Sequence, residues 1–201
     1  MPATVLAPRL LGACLTSGRG SAAVTVRLTE VEAYEGTSDP ASHAFRGPTP
    51  RTAVMFGPPA HLYVYFVYGM HWCANLVCGP DGAASALLLR AGEVVDGVPT
   101  ARARRPSARR DADLARGPAR LAQCLGLTGD DNGVDVLDPN SRIRVSPLLG
   151  AGNTPGRISA GPRVGVAVGA EVALRFWLAG DPTVSAYRPG ARKRAPGNGQ
   201  T

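Results

Sequence analysis

Between Val24 and Tyr34 the chain alternates apolar and polar residues and then breaks step. Val24, Val26 and Leu28 share one face of an extended segment, with Thr25, Arg27 and Thr29 on the other. The next apolar residues are Val31 and Ala33, so in an unbroken strand Glu32 and Tyr34 would continue the face that Val24 and Leu28 began. Side chains repeat every second residue, so this half-buried strand needs a bulge, or a departure from the sheet, where the phase changes. Glu32 then lies beside apolar neighbours, a costly place for an unpaired carboxylate.

The stretch that follows supplies groups of related chemistry. Residues 36 to 60 contain Gly36, Pro40, Gly47, Pro48, Pro50, Gly57, Pro58 and Pro59, the composition of a long loop, and carry Asp39 and His43. Connections of that length in compact domains are usually functional or disordered. His61 to Tyr68 is rich in aromatic and branched residues and is expected to be a strand, with Gly69 allowing a sharp bend that brings Tyr65 and Tyr68 to one site. Ala86 to Arg90 is expected to be another, mostly buried strand.

Elsewhere the apolar spacing predicts a short helix over residues 6 to 16, with Pro8 in its first turn. Residues 99 to 116, with Arg102, Arg104, Arg105, Arg109, Arg110 and Arg116, are expected to form a flexible basic excursion. Gly117-Pro118-Ala119-Arg120 should start a helix that ends near Gly126, and a helix N-terminus beside an arginine is a ready phosphate site. Alternation from Arg163 to Leu178 predicts a hairpin turning around Gly169 to Glu171. The first 185 residues are expected to form one domain, and residues 186 to 201 a basic, disordered tail.

Composition sets the class. With 201 residues, 25 of them Gly and 18 Pro, the chain fits a single loop-rich domain of mixed α/β type. A net charge of +7 favours an anionic partner, because Lys and Arg displace the counterions condensed on phosphates. Cys14, Cys73, Cys78 and Cys124 form no metal-like spacing with each other or with the histidines, which implies reduced core cysteines and no metal site. No run approaches the ~18 apolar residues of a membrane span, so a cytoplasmic protein, associated with the chromosome in a prokaryote, is expected.

One carboxylate, one imidazole and several flat rings in a basic chain suit an enzyme that stacks a nucleobase and breaks its sugar bond. Hydrolysing a purine N-glycosidic bond needs a deprotonated water, charge opposite a cationic sugar, and a pocket for the extruded base. A single carboxylate suffices when the leaving base is already activated, as an alkylated, positively charged purine is. Such a base also stacks well on electron-rich rings, and Tyr34, Tyr65 and His43 could sandwich it. The competing interpretation is a binder of damaged or single-stranded nucleic acid without catalysis.

The segments Arg27 to Tyr34, His43, Thr49-Pro50-Arg51, Met55-Phe56, Leu62 to Met70, Asn75, Leu88-Leu89-Arg90, Gly117-Pro118 and Arg163-Val164-Gly165-Val166 together resemble the alkyladenine (3-methyladenine) DNA glycosylase family. The resemblance runs in order over roughly residues 8 to 185. It implies a single α+β domain around a curved, mainly antiparallel sheet flanked by helices and long loops, working as a monomer on double-stranded DNA without metal or other cofactor. It implies that Glu32 is the general base, with Arg90 and the Val164 carbonyl holding its water. Tyr34, His43 and Tyr65 would line the base pocket, with Asn75 crowding the 2-amino group of guanine. Tyr68 would be the wedge, with Met70 beside it, while Thr49, Arg51, Gly117 and Arg120 would meet the DNA backbone.

Overall fold

The computed structural model describes residues 1–146 and 157–190. Within them the chain is a mixed α/β domain with three α-helices and a curled sheet of nine strands, every pairing of which is antiparallel.

Two long strands, β2 (Val24–Tyr34) and β5 (Ala86–Asp96), pair along their whole length and form the spine. Their pairing slips first where Val95 is left over between Thr25–Asp96 and Val26–Val94, and farther along it contains a bulge and a counter-bulge. Leu28 faces Gly92, Glu30 faces Ala91 and Val31 faces Leu89, which leaves Thr29 as the extra residue on β2 and Arg90 as the extra residue on β5. The break in alternation is thereby resolved. Val24, Val26, Leu28, Val31 and Ala33 all reach the same apolar core, while Glu32 and Tyr34 turn to the opposite face instead of sharing the face of Val24 and Leu28. The strand is buried along nearly its entire length, where a half-buried strand was expected.

Both spine strands also change neighbours near the bulges. The outer edge of β2 pairs first with β1 (Cys14–Ser17) and beyond the bulge with β9 (Arg175–Leu178). The outer edge of β5 pairs with β4 (His71–Val77) over Ala86–Leu88, then with the two-residue β6 (Ala115–Arg116). Strands β3 (Leu62–Val67), β7 (Ile143–Ser146) and β8 (Ile158–Gly161) extend the sheet beyond β4, β1 and β9. Helices α1 (Ala3–Leu10) and α3 (Pro118–Leu125) supply Ala3, Ala7, Leu10, Leu121, Ala122 and Leu125 to the core face of the sheet. The other face is left to the site.

Several expectations need correction. The first helix spans Ala3–Leu10 rather than residues 6 to 16, and Pro8 sits inside it rather than in its first turn. Pro8 withdraws a backbone donor, Leu11 turns extended, and the expected last residues, Cys14 and Leu15, enter β1. The arginine-rich segment is ordered as α2 (Val98–Arg104), a 3-10 turn at Asp111–Asp113 and β6. Its arginines brace backbone carbonyls from a distance: Arg104 donates to Cys124 and Ala22, Arg105 to Leu114, and Arg116 to Val184. The C-terminal hairpin is made by β8 and β9, and Val164 to Val168 is not a strand. Positive φ angles at Gly165 (73°) and Gly169 (67°) interrupt the extended path that the valine spacing suggested.

The helix at Pro118–Leu125 ends on Gly126 as the sequence indicated. All four cysteines are free and buried, and burial pushes the Cys73 and Cys124 thiols up to about 11. Among the described residues, no helix is long and apolar enough to cross a membrane and no cluster of potential metal ligands occurs. Of the expected tail, residues 191–201 lie outside the described residues, while the Arg188 carbonyl accepts from the Gly165 amide at 2.8 Å.

Candidate active site

Glu32 has no exposed surface, and three donors reach its carboxylate. The Val164 amide donates to Oε1 at 2.7 Å, while the Tyr34 hydroxyl at 3.0 Å and Arg90 Nη1 at 3.2 Å donate to Oε2. A carboxylate offers about four lone-pair sites, so one, on Oε1, has no donor among the described residues. Burial raises the Glu32 pKa, against the opposing pull of Arg90, the Val164 amide and Tyr34. Val164 thus touches Glu32 through its N–H, a contact that the carbonyl role inferred from the resemblance did not include.

On one side of Glu32 lies a cavity lined by Tyr34, Ala41, Ser42, His43, Met55, Tyr63, Tyr65 and Asn75, enclosing about 320 Å³ with its open mouth. All four residues assigned to a base pocket from the sequence, Tyr34, His43, Tyr65 and Asn75, meet here. Their arrangement differs from a simple sandwich. His43 stands perpendicular to Tyr65 with ring centroids 4.6 Å apart, and the ring stacked parallel on Tyr65 is that of Tyr63, at 5.3 Å and 17°. Tyr63 also shares a hydrogen bond of 3.2 Å with His43 Nδ1. Burial, reinforced by Arg51, lowers the His43 pKa and favours the neutral imidazole.

Sequence reasoning passed over Tyr63, Met55 and Ser42. The signal for Tyr63 was the Tyr63-x-Tyr65 spacing, which puts both rings on one face of β3 and sets Tyr63 directly across from Asn75 on β4. A small second cluster of Ala44, Met55, Tyr63, Val77 and Ala86 packs beneath the loop and fixes the cavity floor.

On the other side of Glu32 is a basic cleft lined by Arg90, Arg116, Arg120, Val164, Ser185, Ala186 and Arg188. Glu32 lines neither space, but its partners line both: Tyr34 borders the cavity, and Arg90 and Val164 border the cleft. Arg120, on the first turn of α3 after Gly117, is exposed at the cleft edge. Arg51 lies near the cavity mouth with its guanidinium carbon 5.7 Å from the Tyr65 centroid, and the Thr49 hydroxyl is tied to that of Thr52 at 2.9 Å.

Farther out, β3 and β4 form a hairpin whose tip is Tyr68, Gly69 and Met70. Tyr68 is 88% exposed and Met70 68%, with Phe66 and Trp72 packed against each other just below at 4.7 Å. Tyr68 holds φ at 52° and Gly69 at 66°. A left-handed tyrosine costs about 1–2 kcal/mol, so the turn keeps a large ring displayed at some expense in stability.

The geometry can be set beside other proteins. The sequence profile of the family described as methylpurine-DNA glycosylase matches residues 1–182. The chain belongs to this family. Among its relatives, a protein of Nocardia farcinica is 54% identical over 199 residues, covering 95% of this chain and 89% of its own length. One of Frankia casuarinae is 51% identical over 201 residues, covering 96% and 92%, and one of Streptomyces avermitilis 50% over 194 residues, covering 96% and 91%. Each bears the name "Putative 3-methyladenine DNA glycosylase". Membership of the methylpurine-DNA glycosylase family supports a hydrolase that acts on DNA in repair, as the sequence resemblance implied.

Proposed function

We propose that this glycosylase extrudes alkylated purines, 3-methyladenine among them, from duplex DNA and hydrolyses the N-glycosidic bond in one step, leaving an abasic site. Glu32 takes a proton from a water lodged at its open Oε1 position. The water oxygen attacks C1′ of the deoxyribose, and the bonding pair leaves with the base, whose positive charge it neutralises. Arg90 and the Val164 backbone hold that water and keep Glu32 ionised; no second carboxylate is needed.

The extruded base enters the cavity of Tyr34, His43, Tyr63 and Tyr65, where its cationic ring meets electron-rich faces. Asn75, buried on the cavity wall, crowds the 2-amino group of guanine and so rejects that base by shape. Tyr68 and Met70 at the hairpin tip fill the gap left in the stack, while Arg51, Thr49, Gly117 and Arg120 meet the phosphates. The enzyme acts as a cytoplasmic monomer, with residues 1 to 185 as the catalytic domain and 186 to 201 as a basic extension.

The observation that carries this proposal is the single open acceptor on a buried glutamate, walled on one side by rings and on the other by arginines. Its test is the release of free 3-methyladenine from methylated duplex by the wild type and not by Glu32→Gln. Tight binding without base release by the wild type would leave the non-catalytic interpretation standing instead. For the wedge, Tyr68→Ala should bind lesion DNA more weakly than Glu32→Gln does; equal binding by the two variants and the wild type would remove that role.

A further inference from the structure

Arg163 is the largest fully buried side chain of the protein among the described residues, only 1% exposed, and the mechanism above does not use it. Its guanidinium makes a forked pair with both oxygens of Asp39, the Nη2 contact being 2.9 Å, and Nη1 also donates to the Ala33 carbonyl at 3.0 Å. The same group lies over the Tyr34 ring, 4.6 Å from its centroid. Among the described residues its Nε has no hydrogen-bond partner. A buried arginine that leaves one donor unmatched is held where it is by its other contacts, and each of these leads to the site.

Ala33 lies between Glu32 and Tyr34 on β2, so the carbonyl contact fixes the backbone from which both project. Tyr34 closes the cavity on one side and donates to Glu32 on the other. Asp39 accepts from the Ala41 amide at 3.0 Å and the Glu35 amide at 3.3 Å, which pins the start of the loop carrying Ser42 and His43. Burial works against ionisation of Asp39, yet the Arg163 hydrogen bonds and the Ala41 amide hold it below the ordinary aspartate range. The residue after Arg163 is Val164, whose amide donates to Glu32.

We propose that the Asp39–Arg163 pair is a positioning device for the reaction, locking the cavity loop, the Tyr34 ring and the Val164 amide to the Glu32 carboxylate. The inference rests on Glu32 acting as the general base. Cutting the pair lets the Val164 amide drift from Oε1, which removes a donor that favours the ionised acid. The groups facing Glu32 are Tyr34 and Glu30 from β2, Arg90 from β5, Arg175 across from it on β9, Tyr65 from β3 and, where it is retained, Arg163 itself, and none replaces that donor. The ionised form becomes harder to reach, so the acid limb of excision moves to higher pH.

The test compares Asp39→Asn, Arg163→Lys and the paired Asp39→Leu/Arg163→Met protein with the wild type, using full-length chain and saturating methylated duplex. Replacing both members of a buried ion pair with apolar residues commonly preserves folding, which keeps the paired variant informative if a single one unfolds. Single-turnover excision should fall by about 10- to 100-fold, the scale of a small misplacement near reacting atoms, with the acid limb displaced upward and binding of undamaged duplex within about twofold of the wild type. A merely structural role would lower the melting temperature without moving that limb. Folded variants with the wild-type rate and limb would overturn the proposal, as would loss of folding in all three, which would make the pair a folding element. Failure of the underlying reading looks different: the wild type itself would release no base.

Discussion

Glu30 and Glu32 stand one pleat apart on β2, both without exposed surface, and the protein surrounds them differently. Glu30 receives Arg90 Nε at 3.0 Å, Arg175 Nε at 2.7 Å, and both the Ser185 amide at 2.7 Å and hydroxyl at 2.9 Å. Three of those four converge on Oε1, and Oε2 takes only the Ser185 amide. Among the described residues Glu32 receives three, shares Arg90 with its neighbour, and has partners that border both the cavity and the cleft. Identical side chains on one strand thus become a counter-ion bound by two arginines and an acid that shares one of them and takes its other donors from Tyr34 and Val164. What separates them is the number of donors, since depth is the same for both.

The sharpest way to break this contrast is kinetic. Glu32→Gln should lower single-turnover excision by about 10²- to 10⁴-fold, the range general-base catalysis contributes, with a modest loss of thermal stability because the one amide oxygen can replace Oε1 toward the Val164 amide or Oε2 toward Arg90 and Tyr34, not both. A variant that keeps its rate would make Glu32 as inert as its neighbour is expected to be. Glu30→Gln should do the reverse, leaving Arg90 and Arg175 short of compensating charge and costing about 3–5 kcal/mol in denaturant unfolding. Should Glu30→Gln unfold like the wild type, the Glu30 carboxylate is not structural.

Acidity offers a subtler probe. Because burial raises the Glu32 pKa, the proton that silences the base is bound at a higher pH than an ordinary glutamate near 4.3 would allow, and excision should fall as pH drops through that raised value. A pH profile flat down to pH 4.5 would contradict it. The smallest effect is expected from Ser185→Ala, which deletes one hydroxyl donor to Glu30 and should cost about 1 kcal/mol in stability while excision of methylated DNA stays unchanged.

How much of this was legible in the sequence depended on distance along the chain. The phase break between Leu28 and Val31 is local; it called for a bulge or a departure from the sheet, and the structure has the bulge, at Thr29. The cavity residues were legible from the tyrosine and histidine pattern together with the family resemblance, but the perpendicular His43 and the stacked Tyr63 follow from packing between β3 and the loop. Strands β1, β4 and β7 went unread because β1 and β7 are four residues long and the His71 to Asn75 pattern lacks clean alternation. The arginine-rich segment misled for a different reason: Arg104 and Arg116 are satisfied by carbonyls contributed from distant parts of the chain, Ala22 and Val184, which no local pattern encodes. The same holds for the link between Asp39 and Arg163, 124 residues apart.

Thr29 has one more consequence. Its insertion lets β2 keep every greasy residue pointed inward while its acids point away, and the matching insertion at Arg90 puts β5 back in step immediately afterwards. The interior and the reactive surface are therefore geared separately. Either can drift under mutation without dragging the other along, provided that both slipped residues stay; deleting only one would turn the remaining length of its strand inside out.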